Sequence, residues 1–147
     1  MMCNIYTIAF ATFFIMSINF FHTEGLLKIE QVENMMKPMG KSCAAKTGLT
    51  PELQEAHKNR DFVDDEKLKC YIYCICKMTK MLDKDNNVNL DSVRKQLRAV
   101  LPEDLAEKSI KAHEECTAKV TTKESCELAY QYAICFHGIV PDLYFFP

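Results

Sequence analysis

The chain has 147 residues, with 18 Lys+Arg set against 20 Asp+Glu and a formal charge of −2. That length suits one domain, and a near-even charge balance without a basic stripe argues against nucleic acid as a partner. Glycine is scarce at 4 residues and alternating strand patterns are hard to find, so the expected fold class is all-α.

Residues 2–21 are mostly apolar, no Lys or Arg precedes Lys28, and Thr23 and Gly25 stand where small residues precede a signal-peptidase cut. Residues 1–25 therefore read as a secretory signal and 26–147 as the mature domain. A membrane anchor is the competing reading. Thr7, Thr12, Ser17 and Asn19 interrupt the apolar run and count against it. Cleavage near Gly25 would remove Cys3 and His22 and leave a formal charge of −1.

Six amphipathic segments follow. The first carries Ile29, Val32, Met36, Met39 and Cys43 at helical spacing and closes at Gly48. The second opens at Thr50-Pro51, an N-cap followed by proline at the first helical position, and is expected to end near Asp61-Phe62. The third, Asp65 to Leu82, contains Cys70-Tyr-Ile-Tyr-Cys-Ile-Cys76. The fourth follows the Asx-rich run 83–91 and presents Val93, Leu97 and Val100. Pro102 opens the fifth, which presents Leu105, Ile110, Ala112 and Cys116. The sixth, about Glu124 to His137, is apolar nearly all round and so belongs in the centre of a bundle. The tail 138–147 holds Ile139, Val140, Leu143, Tyr144, Phe145 and Phe146, and a tail that apolar should fold back onto the body.

The third segment is the hub. On a helix, Cys70 and Cys74 share a face with Cβ atoms roughly 5–6 Å apart, whereas a disulfide needs about 3.5–4.5 Å. Each must find a partner elsewhere. Cys126 and Cys135 are separated by about 900° of helical rotation, face opposite sides and need different partners. Cys76 lies about 200° from Cys74 and points away from the staple face. Setting it aside leaves six cysteines spaced C-x26-C-x3-C-x41-C-x9-C-x8-C, for which fifteen pairings are open.

That spacing resembles the signature of the insect odorant-binding protein family, the six-helix pheromone and general odorant carriers of sensillar lymph. The resemblance covers the whole mature chain. The stretch Cys126-Glu-Leu-Ala-Tyr-Gln-Tyr-Ala-Ile-Cys135-Phe and the ending Tyr144-Phe-Phe-Pro147 are similar to the LUSH-like pheromone-binding members. The resemblance implies the pairs Cys43–Cys74, Cys70–Cys126 and Cys116–Cys135, interlocking a compact six-helix bundle around an apolar cavity. It also implies a secreted, extracellular carrier of small hydrophobic volatiles, without catalysis or cofactor. The implied partners are the ligand and an odorant receptor, and the chain would be a monomer or weak homodimer without stable membrane insertion. A non-olfactory scavenger of small lipophilic ligands on the same fold is the alternative.

Two routes give the ligand-binding residues. Helical phase puts Ile72, Cys76 and Thr79, and further round Leu82, on the hub face opposite Cys74. The resemblance places pocket positions on Ile72, Cys76, His113, Tyr132 and Phe136, with Met36 and Phe62 as further wall residues and Phe145 and Phe146 as the tail's plug. Met and aromatic side chains re-pack around varied guests, although such a stripe at helical spacing is also what an ordinary core shows.

Sharper chemistry fits these residues less well. Residues 83–91 look like a calcium loop, but Val88 stands where the loop needs Gly and Arg94 where it needs Glu; an Asx-rich turn explains the run better. Zinc held by Cys70, Cys74, Cys76 and His113 conflicts with export, which favours disulfides. Cys76 as a nucleophile has no visible His–Asp partner; it reads as a buried thiol in the pocket wall, or alternatively as an intermolecular bridge. His113 is expected either to pack plainly or to protonate near pH 6 and loosen both the bound state and the tail. Asp142 is expected to lock the tail to a lysine.

Overall fold

The structure, a computed structural model, describes residues 29–147; the expected signal 1–25 and the start of the mature domain lie outside the described residues. Among the described residues there are six α-helices: α1 (Ile29–Thr47), α2 (Pro51–Lys58), α3 (Glu66–Met78), α4 (Leu90–Val100), α5 (Glu103–Lys119) and α6 (Ser125–Ile139). A 3-10 turn (Pro141–Leu143) starts the tail, and one antiparallel bridge, Leu82 to Val88, closes the loop before α4.

Side chains at the boundaries account for most of these limits. Thr50 Oγ1 accepts from Leu53 N–H at 3.3 Å, Asp65 Oδ1 from Lys67 N–H at 2.8 Å and Asn89 Oδ1 from Ser92 N–H at 3.0 Å. Each such cap contributes about 1 kcal/mol by satisfying an orphan donor. The carboxylate of Glu124 does the same for Cys126 and Glu127 at the start of α6. Gly48, at φ +67°, closes α1. Helix α1 runs through Pro38 without ending, although proline offers Asn34 no N–H to accept.

Some boundaries differ from the sequence expectation, and α3 ends at Met78 rather than near Leu82. Helix α2 stops at Lys58 rather than near Phe62, because Arg60 takes a left-handed conformation at φ 63° and breaks the repeat. Pro102 occupies the capping position of α5, not its first turn. The Asx-rich run, by contrast, forms the turn expected of it: Asp83 Oδ1 accepts from the N–H groups of Asp85 and Asn87, both at 2.9 Å. Asn86 there accepts from Tyr73 Oη and donates to Ser125 Oγ, joining the turn to α3 and α6.

Helix α6 lies in the middle, as its all-round apolarity requires, and packs most extensively on α3. Helix α1 covers another face of α3, and α4 packs on α5. Three disulfides hold this arrangement: Cys43–Cys74, Cys70–Cys126 and Cys116–Cys135. Both hub cysteines thus leave α3 toward different helices, and α6 is clamped on two sides. Cys76 remains a buried free thiol. No described helix is long and apolar enough to cross a membrane.

The tail folds back. Leu143 and Tyr144 are buried, and Asp142 is exposed with no ion pair among the described residues. The expected lysine lock is replaced by Arg60, whose Nη2 donates to the Tyr144 carbonyl at 2.9 Å while its guanidinium stands 5.0 Å from the Tyr144 ring centre. Tyr71 Oη donates to the Pro147 carbonyl. Gly40 makes that close approach possible: a Cβ there would meet Pro147 Cγ at 2.8 Å.

Candidate functional site

A cavity of about 430 Å³ lies between α1, α3, α4, α5, α6 and the tail. That falls within the size range of small-molecule sites. Helix α1 contributes Val32, Met35, Met36 and Met39, and α3 contributes Ile75 and Cys76, with Thr79 just beyond it. Leu97 and Val100 come from α4, Ser109 and His113 from α5, and Ala129, Tyr132, Ala133 and Phe136 from α6. The tail closes the space with Leu143, Tyr144, Phe145 and Phe146. Residues of the wall that are exposed to solvent are Met35 on α1 and Gln96 and Ala99 on α4, which marks the side on which the cavity opens.

No carboxylate, lysine or arginine lines the cavity among the described residues. Its polar groups are mostly committed. Thr79 Oγ1 donates to the Ile75 carbonyl at 2.9 Å, and Gln96 Nε2 donates to the Thr79 carbonyl and to Ser92 Oγ. Tyr132 Oη stands 2.9 Å from His113 Nδ1 and 3.1 Å from the His113 carbonyl, which also accepts from Thr117 Oγ1 at 2.8 Å. The His113 ring stacks on Phe136 with centres 4.2 Å apart.

Burial sets the protonation of these groups. It lowers the His113 pKa from 6.5 to about 4, because the imidazolium would lose its water without gaining a counter-charge. It pushes the Cys76 thiol up to about 12 and raises the Tyr132 hydroxyl as well. At neutral pH the wall is uncharged throughout. The expected protonation of His113 near pH 6 is thereby corrected: the ring stays neutral until about pH 4. A thiol held protonated is not an activated nucleophile.

Of the residues named from sequence, Met36, Cys76, Thr79, His113, Tyr132, Phe136, Phe145 and Phe146 stand in the wall, and Phe62, Ile72 and Leu82 do not. Ile72 shares a helical face with Cys76 but lies one turn nearer the start of α3, fully buried, whereas the cavity borders only the end of that helix. Leu82 is buried in the bridge to Val88. Phe62 packs in a different cluster, edge-on to His57, Tyr130 and Tyr144. In that cluster Tyr130 Oη donates to the Phe62 carbonyl at 2.6 Å. Sequence reasoning missed Met39, Ile75, Ser109 and Tyr144. Met39 is three residues past Met36 and Ser109 four before His113, so helical spacing alone pointed to both.

The zinc reading fails on connectivity, since Cys70 and Cys74 are consumed in disulfides. Glu66 approaches the sulfurs of Cys70 and Cys126, but these are bonded to each other and offer no thiolate.

Comparison with known proteins agrees with this geometry. Residues 28–138 match the model of the PBP/GOBP family. The chain is 28% identical to general odorant-binding protein 69a of Drosophila melanogaster over 98 residues, 66% of this chain and 63% of that protein, so it spans just under two thirds of that relative's length. Odorant binding protein 4 of Chrysopa pallens superposes with a TM-score of 0.72 at 32% identity, over 83% of this chain and 100% of that one. Odorant binding protein 5 of Apis mellifera does so with a TM-score of 0.70 at 30% identity, over 83% and 99%. With its cysteine framework paired, five of the described helices and the tail closed around an apolar hollow, and its family model matched over most of its length, the chain belongs to the PBP/GOBP family of insect odorant-binding proteins.

Proposed function

We propose that this protein is a secreted carrier that takes up small neutral hydrophobic volatiles, odorants or pheromones, in its internal cavity and carries them through sensillar lymph to olfactory receptors. The observation that supports this reading best is a cavity of about 430 Å³ whose walls are almost wholly apolar and carry no charged side chain among the described residues. A protonated amine or a fatty carboxylate would lose its hydration there without meeting a counter-charge, which excludes them on cost. Met36, Cys76, Thr79, His113, Tyr132, Phe136, Phe145 and Phe146 would touch the guest.

Binding is moderate by design. Burying about twelve CH₂ groups gains roughly 10 kcal/mol, and lost translational and rotational freedom takes back at least about 4 kcal/mol. The balance corresponds to a dissociation constant in the micromolar range or weaker. A carrier needs that range in order to unload. The test is displacement of the fluorescent apolar probe N-phenyl-1-naphthylamine from the oxidised chain by a panel of volatiles. Micromolar displacement by uncharged members, and none by charged analogues of equal length, is expected. A probe that does not bind at all would overturn the reading.

A further inference from the structure

The wall of the cavity is uneven in one respect. Hydroxyls on helices usually turn back to the carbonyl four residues earlier, and Thr47, Thr79 and Thr117 do so here, onto Cys43, Ile75 and His113. Ser109 does not. It sits in the middle of α5, is 1% exposed and lines the cavity, and its Oγ has no hydrogen-bond partner among the described residues. A buried hydroxyl without a partner is costly. A helix could relieve that cost with alanine at this position.

We propose that Ser109 is the polar anchor of the cavity: its hydroxyl donates to a neutral oxygen (alcohol, ketone, aldehyde or ester) at one end of an otherwise apolar guest, whose hydrocarbon part then lies against Met36, Met39 and Phe136. This deepens the carrier reading and rests on it. The charge pattern of the wall selects the class. Since the cavity presents neither acid nor base among the described residues, the group meeting Ser109 must be uncharged. His113, one turn further along the same face, has its Nδ1 engaged by Tyr132 Oη and is not bonded to Ser109. The pair therefore lacks the hydrogen bond that a nucleophile and its base require, and Ser109 binds rather than reacts. Gains of this kind discriminate sharply, because a site with an unpaired donor rewards the guest that pairs it over the isostere that does not.

The experiment compares 1-decanol, 2-decanone and n-decane as competitors of N-phenyl-1-naphthylamine on the wild-type oxidised chain, on Ser109→Ala and on Thr47→Val. In Ser109→Ala both oxygenated guests should weaken by roughly 3- to 10-fold, the worth of one net hydrogen bond, while decane stays within about twofold. Thr47→Val, which removes a hydroxyl outside the cavity wall that is bonded to the Cys43 carbonyl of its own helix, should leave the ratio of alcohol to alkane unchanged. Ser109→Cys, close in size and a far weaker donor, should behave as Ser109→Ala and guards against a folding defect in the first variant. If all three guests bind Ser109→Ala and Ser109→Cys with the wild-type ratio, the anchor is wrong and the carrier reading stands. If none displaces the probe from the wild type, both fall.

Discussion

Two histidines are buried among the described residues, and they sit in two differently built regions. His113 stands in the cavity wall, stacked on Phe136 and hydrogen-bonded to Tyr132, with open space on one side. His57 lies under the tail, ringed by Phe62, Tyr71, Tyr144 and Phe146 at centre distances of 5.7–6.1 Å, with Tyr144 Oη 3.4 Å from its Nε2 and no partner for Nδ1 among the described residues. Burial lowers both pKa values to about 4, helped at His57 by the positive charge of Arg60 and by His137. The same titration therefore serves two purposes. At His113 a neutral ring keeps the wall compatible with an apolar guest; at His57 it lets an imidazole act as a packed strut beneath the tail. The regions differ in covalent support too. Cys116 and Cys135 link α5 to α6 beside His113 and Phe136, whereas side-chain packing and Arg60 hold the tail over His57.

The largest expected effect is on stability against pH. As pH falls below about 6.5 the unfolded chain takes up protons at both histidines, while the folded chain resists until about 4. Stability is thus fully present above about pH 6.5 and falls as pH drops toward 4, by up to about 3 kcal/mol for each ring. Urea unfolding between pH 7 and pH 4.5 measures it. His57→Phe and His113→Phe should each remove their own share of the slope, and an unaltered slope in either variant would show that its imidazole is not held neutral. Probe affinity should stay within about twofold between pH 7 and pH 5, since the folded protein is uncharged at both rings across that interval.

Next comes the crosslink on the cavity side. Cys116→Ala with Cys135→Ala opens a loop with a sequence separation of 19 residues, and the chain-entropy model puts the loss at about 3 kcal/mol. Thermal unfolding should show that loss, with probe affinity falling as α5 and α6 move apart. Hydrogen exchange at residues 143–147 should stay near wild type, because the tail is anchored elsewhere.

The smallest effect tests the tail. Arg60→Gln removes a charge-assisted hydrogen bond to the Tyr144 carbonyl and a cation over the Tyr144 ring, a loss of about 1–2 kcal/mol. Here hydrogen exchange at 143–147 should quicken while the contacts between α5 and α6 keep their protection. If instead the whole chain exchanges faster, the two regions are one cooperative unit and do not differ in how they are held.

What the sequence determined on its own was the frame. Fixed helical rotation forbids Cys70 from pairing with Cys74 and sends Cys126 and Cys135 to opposite sides. The all-round apolarity of α6 demands a central place, and a tail ending in Leu143, Tyr144, Phe145 and Phe146 has to find cover. These are local properties of periodicity and composition, legible before any contact is known. Tertiary structure decided the rest. Helical phase says which face of α3 looks inward, but where the hollow lies along that face depends on how far the neighbouring helices stand apart, so Ile75 lines it and Ile72 does not. His57 sits on a short charged segment with nothing in its neighbourhood to announce burial; its partner Tyr144 is 87 residues away. That Ser109 lacks the backbone bond made by three helical threonines is likewise invisible in the chain, because a hydroxyl's partner depends on its rotamer and surroundings, and only the packed protein has those.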